Sequence, residues 1–306
     1  ALMFGTGELD LFHRIHHAFD PAGIANPGKM LPPPDDTAGR PPPEVAAAIS
    51  ALADSIRATD QVYPIGAGTK ILATENSATP LTTTSCAGIT AYEPAEFVLT
   101  ALAGTPLREI QAALRAQGQQ LLFDPPLVAA GATLGGAIAS GLNGPGAFGH
   151  GRVRDAILGV TLIDGRGEIH HLGGQVVKNV AGFDIPKLLV GSLGAFGLLA
   201  EISIKVCPLS PSASTFEITT AGQDDFTDTL QKLTALSNRP VAIEGQPAAN
   251  KIWVRFEAPA DALPAIAATL AEFSSTALDE NTAQALWSRL GAFAWATENE
   301  ALFKTP

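Results

Sequence analysis

The sequence predicts an α+β protein, with two α/β subdomains followed by a small α+β domain. Helix-like and strand-like patterns alternate from Glu44 to Pro208, which favours a mixed architecture. Seventeen of the 30 glycines lie between Gly131 and Gly197, where they separate short hydrophobic runs typical of buried strands. Beyond Pro208 the composition becomes ordinary, and strands and helices again alternate, which indicates a further domain.

Hydrophobic spacing places the individual elements along the chain. Helices are predicted over 44–58, 94–100, 106–117, 224–236 and 260–273, and strands over 61–65, 157–163, 168–172, 215–219 and 251–257. The Asp164-Gly165 turn between two of these strands predicts a β-hairpin.

Composition and charge exclude several classes of function. The net charge of −11 disfavours nucleic acid, because a phosphate backbone requires a basic surface. No apolar run is long enough to cross a bilayer. Cys86 and Cys207 are too few for an iron–sulfur cluster or a structural zinc site, so we expect two unpaired thiols.

The first candidate site is the turn Gly66-Ala67-Gly68-Thr69-Lys70, which directly follows a predicted strand. Successive backbone N–H groups of such a turn can bind an anion, and Lys70 can add positive charge. The spacing matches neither a Walker A loop nor a Rossmann GxGxxG motif. The alternative is an ordinary tight turn.

The second candidate is the segment from Gly131 to Gly141, which contains only small or apolar residues and has hydroxyls at Thr133 and Ser140. Such a segment can lie directly against a ligand because no bulky side chain intervenes. The alternative is a small-residue helix that packs closely on its neighbours, and periodicity does not distinguish the two.

Three further glycine-containing segments follow these two along the chain: Gly149 to Gly159, Val177 to Asp184, and Gly191 to Gly197. Together the five segments resemble the FAD-binding domain of the vanillyl-alcohol oxidase (PCMH-type) flavoprotein superfamily. More narrowly, Lys178 to Asp184 and the Arg154-Asp155 pair are similar to the FAD-binding E subunits of bacterial glycolate oxidases. The resemblance is strong over residues 44–208.

The resemblance implies that the first two segments bind the FAD pyrophosphate and that Gly194 and Ile202 lie near the adenosine half. The residues it assigns to FAD are Gly66, Ala67, Gly68, Thr69, Lys70, Gly131, Thr133, Leu134, Gly135, Gly136, Ser140, Gly141, Arg154, Asp155, Gly194, Gly197 and Ile202. Relatives that attach FAD covalently carry a histidine in the first loop, so we expect non-covalent FAD. Phe183 replaces a tyrosine common in these subunits.

The sequence identifies no catalytic residue. His150, His170 or His171 could act as a general base, although the last two lie in a predicted hairpin strand and are expected at the surface. Arg152 and Arg154 could bind a substrate carboxylate, or Arg154 could form a structural ion pair with Asp155.

The N-terminal segment has a separate resemblance. Residues 1–34, with Asp20-Pro21 and Asn26-Pro27, resemble the C-terminal tail of the glycolate oxidase D subunit, and a proline-rich linker follows. A gene fusion or a reading-frame remnant would explain this order, whereas the alternative is a coincidental helix and turn. We therefore predict domains at 1–43, 44–208 and 209–306, the last an incomplete cap domain.

The resemblance implies a subunit of a glycolate oxidase that transfers hydride from a 2-hydroxy acid to FAD. It implies two partners, a D-type flavoprotein and an iron–sulfur subunit, and a cytoplasmic location, with attachment to the inner membrane through those partners. Two alternatives remain open: a stand-alone FAD oxidoreductase on another hydroxy acid or alcohol, and a non-catalytic scaffold.

Overall fold

The computed structural model describes residues 42–70, 78–174 and 184–294. The predicted D-subunit-like tail, most of the proline-rich linker and most of the Lys178 to Asp184 motif lie outside these residues. The chain divides into two compact units, residues 1–50 and 51–306. Helix α1 (Pro43–Arg57) begins in the first unit and ends in the second, close to its predicted bounds.

Two short parallel strands open the larger unit. Strand β1 (Val62–Ile65) pairs with β2 (Thr79–Thr82) in the register Val62 to Thr79. Strand β1 confirms the predicted strand and ends directly before the glycine turn at Gly66, so the pairing positions that turn.

A six-stranded antiparallel sheet forms the centre of the larger unit. Its strands are β3 (Ile89–Glu93), β4 (Val98–Leu102), β5 (Gln119–Leu121), β6 (Ile157–Ile163), β7 (Ile169–Gly173) and β8 (Leu198–Pro208). The order is β3-β4-β8-β6-β7, and β5 pairs with the C-terminal end of β8. Strands β6 and β7 confirm the hairpin predicted from the Asp164-Gly165 turn.

Helices α2 (Leu107–Ala116) and α3 (Leu134–Ser140) cover this sheet. Leu107 and Ile110 of α2 and Leu134 and Ile138 of α3 are completely buried in the same core as sheet residue Ile202. Burial of each large apolar side chain stabilises the fold by about 2 kcal/mol, and this packing holds α3 against the sheet. Three single-turn helices, α4 (Ala147–His150), α5 (Val153–Ala156) and α6 (Ile185–Leu188), lie in the connections.

The C-terminal part forms a second sheet with its own core. Strands β9 (Ser212–Thr219), β10 (Ala242–Gln246), β11 (Lys251–Ala258) and β12 (Ser275–Ala277) pair in the order β10-β11-β9-β12. Helices α7 (Gln223–Thr234), α8 (Leu263–Thr269) and α9 (Glu280–Gly291) accompany this sheet. Phe216 and Phe256 meet edge to face in its core, with ring centroids 6.3 Å apart.

The helix predicted over 94–100 is wrong. Residues Pro94–Glu96 form one 3₁₀ turn, Phe97 takes a left-handed conformation with φ 55°, and β4 follows. All five residues of β4 are buried, and a short apolar run cannot be assigned to helix or strand by periodicity. No helix among the described residues is long and apolar enough to cross a membrane.

Candidate functional site

A cavity of about 340 Å³ lies inside the larger unit where three glycine-containing segments meet. They are the turn after β1, the start of α3 and the loop before β8. The lining residues are Tyr63, Pro64, Ile65, Gly66, Ala67, Gly68, Thr69, Lys70, Thr83, Ala103, Thr133, Gly135, Gly136, Ala139, Ser140, Leu193, Gly194, Gly197 and Leu199. Its size lies within the range of small-molecule sites.

The turn after β1 offers backbone donors to the cavity. Within the described residues, the N–H groups from Gly66 to Lys70 donate to no backbone acceptor. Gly68 has φ +72°, a conformation that glycine adopts without strain, and an added Cβ there would meet no other atom. In the described part of the chain, the turn therefore presents amide donors that have no backbone acceptor, with no side chain at Gly68, as an anion-binding turn requires.

The start of α3 fits closely against this turn. Thr133 is the N-cap residue, and its Oγ1 accepts a hydrogen bond of 3.2 Å from Gly136 N. A Cβ at Gly66 would overlap that same oxygen, so the absence of a side chain at Gly66 allows the two segments to approach. Residues Leu134–Ser140 thus form the small-residue helix of one sequence interpretation, and part of this helix also lines the cavity.

Gly135 lines the cavity, but its missing side chain serves packing. An added Cβ would lie 2.7 Å from Ala103 Cβ and 3.0 Å from Ala103 O, and Gly135 N already donates to that oxygen at 2.8 Å. A side chain at this position would therefore point towards strand β4.

We expect Gly135→Val to lower the free energy of unfolding by about 3 kcal/mol, because overpacking forces α3 away from the sheet. Urea denaturation of the cofactor-free protein measures this effect. Gly68→Ala, at the open tip of the turn, is the matched variant and costs only the backbone strain of about 1 kcal/mol. Equal stability of Gly135→Val and the wild type would contradict the packing role.

Lys70 is the basic residue of the cavity wall. Its Nζ is fully buried and has no hydrogen-bond partner within the described part of the chain. Burial disfavours the charged ammonium and lowers the pKa of Lys70 from 10.5 to about 8. An unpaired buried ammonium is costly, so this group indicates an anionic occupant of the cavity.

The loop before β8 forms the third wall. Gly194 has φ +83°, and an added Cβ would lie 3.1 Å from the ring of Pro64. Leu193 takes a left-handed conformation with φ 52° and remains 73% exposed. Its amide donates to Ala139 O at 2.8 Å, which joins this loop to α3.

Eleven of the predicted site residues line the cavity, and six do not. Leu134 and Ile202 are completely buried in the core, and Asp155 Oδ2 accepts a hydrogen bond from Arg152 N at the start of α5. The structure has no Arg154–Asp155 ion pair. Gly131, Gly141 and Arg154 complete the list of residues outside the cavity wall.

Sequence reasoning missed eight lining residues: Tyr63, Pro64, Ile65, Thr83, Ala103, Ala139, Leu193 and Leu199. The first three directly precede the glycine turn, so adjacency to the motif could have indicated them. Thr83 and Ala103 reach the cavity through strand pairing, which no local pattern reveals.

The candidate histidines lie away from the cavity wall. His170 Nε2 lies 3.1 Å from Asp164 Oδ2, and His171 Nδ1 lies 3.1 Å from Thr161 Oγ1, both in the hairpin. His150 Nε2 lies 3.3 Å from Glu257 Oε2 of β11. The thiols of Cys86 and Cys207 are unpaired, as expected.

The chemistry of the cavity wall fits FAD, the cofactor that the resemblance implies. Backbone N–H groups, the Thr69 hydroxyl and the Lys70 ammonium are donors suited to a diphosphate. No carboxylate lines the described wall. Apolar groups such as Leu193 and Leu199 supply a surface for the uncharged parts of a dinucleotide.

Comparison with protein families supports this assignment. Residues 42–173 match the family described as FAD binding domain, and residues 1–30 match the family described as FAD linked oxidases, C-terminal domain. The first match confirms the predicted FAD-binding domain. The second agrees with the resemblance predicted for the N-terminal segment.

Three curated relatives are informative. The chain is 42% identical over 171 residues to glycolate oxidase subunit GlcE of Escherichia coli, which covers 56% of this chain and 48% of that protein. It is 30% identical over 156 residues to a D-lactate dehydrogenase of Anaerostipes hadrus, covering 51% and 32%. It is 29% identical over 133 residues to glycolate oxidase subunit GlcD of Bacillus subtilis, covering 43% and 28%. The chain thus spans about half of the first relative and less of the others, and the predicted resemblance to GlcE-type subunits is confirmed.

Among solved structures, an alkyldihydroxyacetonephosphate synthase has a similar fold. The TM-score is 0.64 at 16% sequence identity, with 81% of this chain and 53% of that chain covered. At this identity the similarity concerns the fold alone, and it confirms the predicted α+β class.

Proposed function

We propose that this chain is an FAD-binding subunit of a glycolate oxidase complex, because residues 42–173 match the family described as FAD binding domain. The proposed reaction oxidises a 2-hydroxy acid to a 2-oxo acid. The observation that carries the proposal is the cavity wall, with its donor-rich turn and buried Lys70, inside a chain similar to GlcE.

The residues of the chain have distinct roles in this proposal. The turn from Gly66 to Lys70 and the start of α3 bind the diphosphate, and Leu193 and Leu199 exclude water from the rest of the cofactor. When bound, FAD accepts the hydride from the α-carbon of the substrate. No histidine is among the described residues of the cavity wall, which supports non-covalent binding.

Partners complete the proposed enzyme. Residues 1–30 match an FAD linked oxidase C-terminal domain, and the chain is similar to GlcD over 133 residues, which supports assembly with a D-type flavoprotein. Two cysteines are too few to bind an iron–sulfur cluster, so an iron–sulfur subunit would carry electrons onward. In this proposal the complex is cytoplasmic and attaches to the inner membrane through its partners.

The D-lactate dehydrogenase relatives favour a second candidate, a stand-alone FAD oxidoreductase on another 2-hydroxy acid. Dye reduction by the purified chain distinguishes the two. The first proposal predicts activity with glycolate only when D-type and iron–sulfur subunits are present, whereas the second predicts activity with D-lactate by the chain alone.

A visible absorption spectrum tests the cofactor itself. We expect a flavin spectrum from the purified chain, and release of all flavin into the supernatant after acid precipitation because the bond is non-covalent. A folded, colourless protein that takes up no added FAD would instead support a scaffold without a cofactor, and flavin in the pellet would contradict non-covalent binding.

A further inference from the structure

Among the residues that the structure describes, none supplies a counter-charge to the buried ammonium of Lys70. Lys70 and Tyr63 are the titratable residues of the described cavity wall, and no carboxylate accompanies them. Thr133 Oγ1 accepts from Gly136 N, and Thr83 Oγ1 donates to Ile65 O at 3.3 Å. Structural hydrogen bonds therefore already engage two of the nearby hydroxyls.

An uncompensated ammonium at this position has a physical cost to the empty protein. Hydrogen bonds or an opposite charge normally accompany a buried charge, and a lysine without either tends to lose its proton. Within the described cavity wall, the polar groups near Lys70 are N–H groups and hydroxyls, which cannot neutralise its charge. Because no described residue supplies the missing negative charge, the geometry favours the ligand as its source.

We propose that Lys70 couples cofactor binding to proton uptake: the diphosphate of the ligand becomes the counter-ion of Lys70, and the lysine is reprotonated when the ligand enters at alkaline pH. The identity of the ligand rests on the proposed FAD binding, but the proposal does not depend on the substrate. Lys70 is thus a positioning residue whose charge state depends on occupancy.

The size of the effect follows from linkage. The pKa of Lys70 is about 8 without ligand, and a neighbouring diphosphate returns it towards 10.5 or above. Above about pH 8 each further pH unit then weakens ligand binding up to about tenfold. Between about pH 7.5 and about pH 9.5 the affinity should fall about 20-fold.

Titration of the full chain with FAD, followed by flavin fluorescence at the two pH values, measures this change. ADP is the second probe, because it carries the diphosphate without the ionisable flavin ring. Lys70→Arg keeps its charge throughout, so it should bind with little pH dependence. Lys70→Met should bind both ligands more weakly at about pH 7.5, and its affinity should likewise change little with pH.

Calorimetry provides an independent readout. Binding of FAD at about pH 9 should take up close to one proton in the wild type and none in Lys70→Arg, as judged from the binding enthalpy in two buffers of different ionisation enthalpy. No proton uptake by the wild type, or equal uptake by the two proteins, would overturn the proposal. Failure of glycolate oxidation would leave this result unaffected.

The stability of the empty chain supplies a readout that needs no ligand. Because the folded pKa of Lys70 lies below 10.5, the unfolded state binds more protons between about pH 8 and about pH 10.5. The stability of the wild type relative to Lys70→Met should therefore rise across that interval.

Glu75→Gln tests whether the acidic residue five positions along the chain acts as an intrachain counter-ion of Lys70. Loss of the proton uptake on FAD binding in that variant would overturn the ligand's role.

Discussion

Gly104→Ala is expected to lower the free energy of unfolding by about 3–4 kcal/mol. A Cβ at this position would overlap the carbonyl oxygen of Thr83 and lie 2.6 Å from Cys86 O. The turn cannot move aside easily, since Gly104 N donates to Cys86 O and Cys86 N donates to Thr83 O, both at 2.9 Å. Accommodation of one methyl group therefore requires these backbone bonds to break.

The same substitution should reduce FAD binding, because Thr83 and Ala103, on either side of the overlap, line the cavity. Urea denaturation and FAD titration measure the two effects. Gly165→Ala is the matched control: its added Cβ meets no other atom and its φ is not positive, so we expect a change within about 0.5 kcal/mol. A Gly104→Ala protein as stable as Gly165→Ala would refute the predicted clash.

Glu257→Gln is expected to lower the free energy of unfolding by about 2–3 kcal/mol, because it leaves Arg255 without its counter-charge and His150 without its carboxylate partner. The Glu257 side chain is only 6% exposed, and it lies 2.6 Å from Arg255 Nη2 and 3.3 Å from His150 Nε2. His150 belongs to α4 and Glu257 to β11, so the carboxylate connects the FAD-binding region to the second sheet. The partial exposure of Arg255 keeps the cost below that of a fully buried pair.

The pH dependence of this effect has a definite sign. Burial raises the pKa of Glu257, but the hydrogen bond from His150 and the charge of Arg255 outweigh it and hold the pKa below 4.5. The stability contributed by the ionised carboxylate is therefore fully present above about pH 4.5, the unfolded value, and is lost as the pH falls through the folded pKa.

Thermal or urea denaturation of the wild type and Glu257→Gln from about pH 7 to about pH 3 measures this pH dependence of stability. The two stability curves should converge on acidification. Asp228→Asn is the control, because its ion pair with Lys232 lies at the surface with both side chains more than half exposed. A constant difference between wild type and Glu257→Gln at all pH values would exclude ionisation as its cause.

Much of the fold near the site could be predicted from residue patterns. The strand before Gly66, the hairpin at Asp164 and the helix over residues 106–117 depend on local spacing and turn chemistry, and the structure has all three. The helix predicted over 94–100 includes the first three residues of β4, because this strand of four apolar residues and one threonine has no strand-specific alternation. Only pairing with β3 and β8 on either side makes such a run a strand.

The glycines show what local sequence patterns cannot predict, namely which residues surround each glycine in the fold. Their concentration between Gly131 and Gly197 indicated close backbone approach, and the structure places the turn at Gly66 in the cavity wall. The direction in which a missing side chain would point depends on residues distant along the chain. Gly135 therefore proved to face Ala103, and Gly104, outside the glycine-rich region, has the tightest surroundings of these positions.

The residue order along the chain determined the α+β class, the FAD-binding resemblance and the donor-rich turn, because these depend on composition, periodicity and short motifs. Tertiary structure alone decided that Lys70 Nζ is buried without a hydrogen-bond partner among the described residues and that Glu257 of β11 meets His150 of α4. Burial and ion pairing depend on residues that are distant along the chain and come together only when it folds. A lysine at the end of a glycine turn acquires its altered pKa only when the surrounding segments exclude water from it.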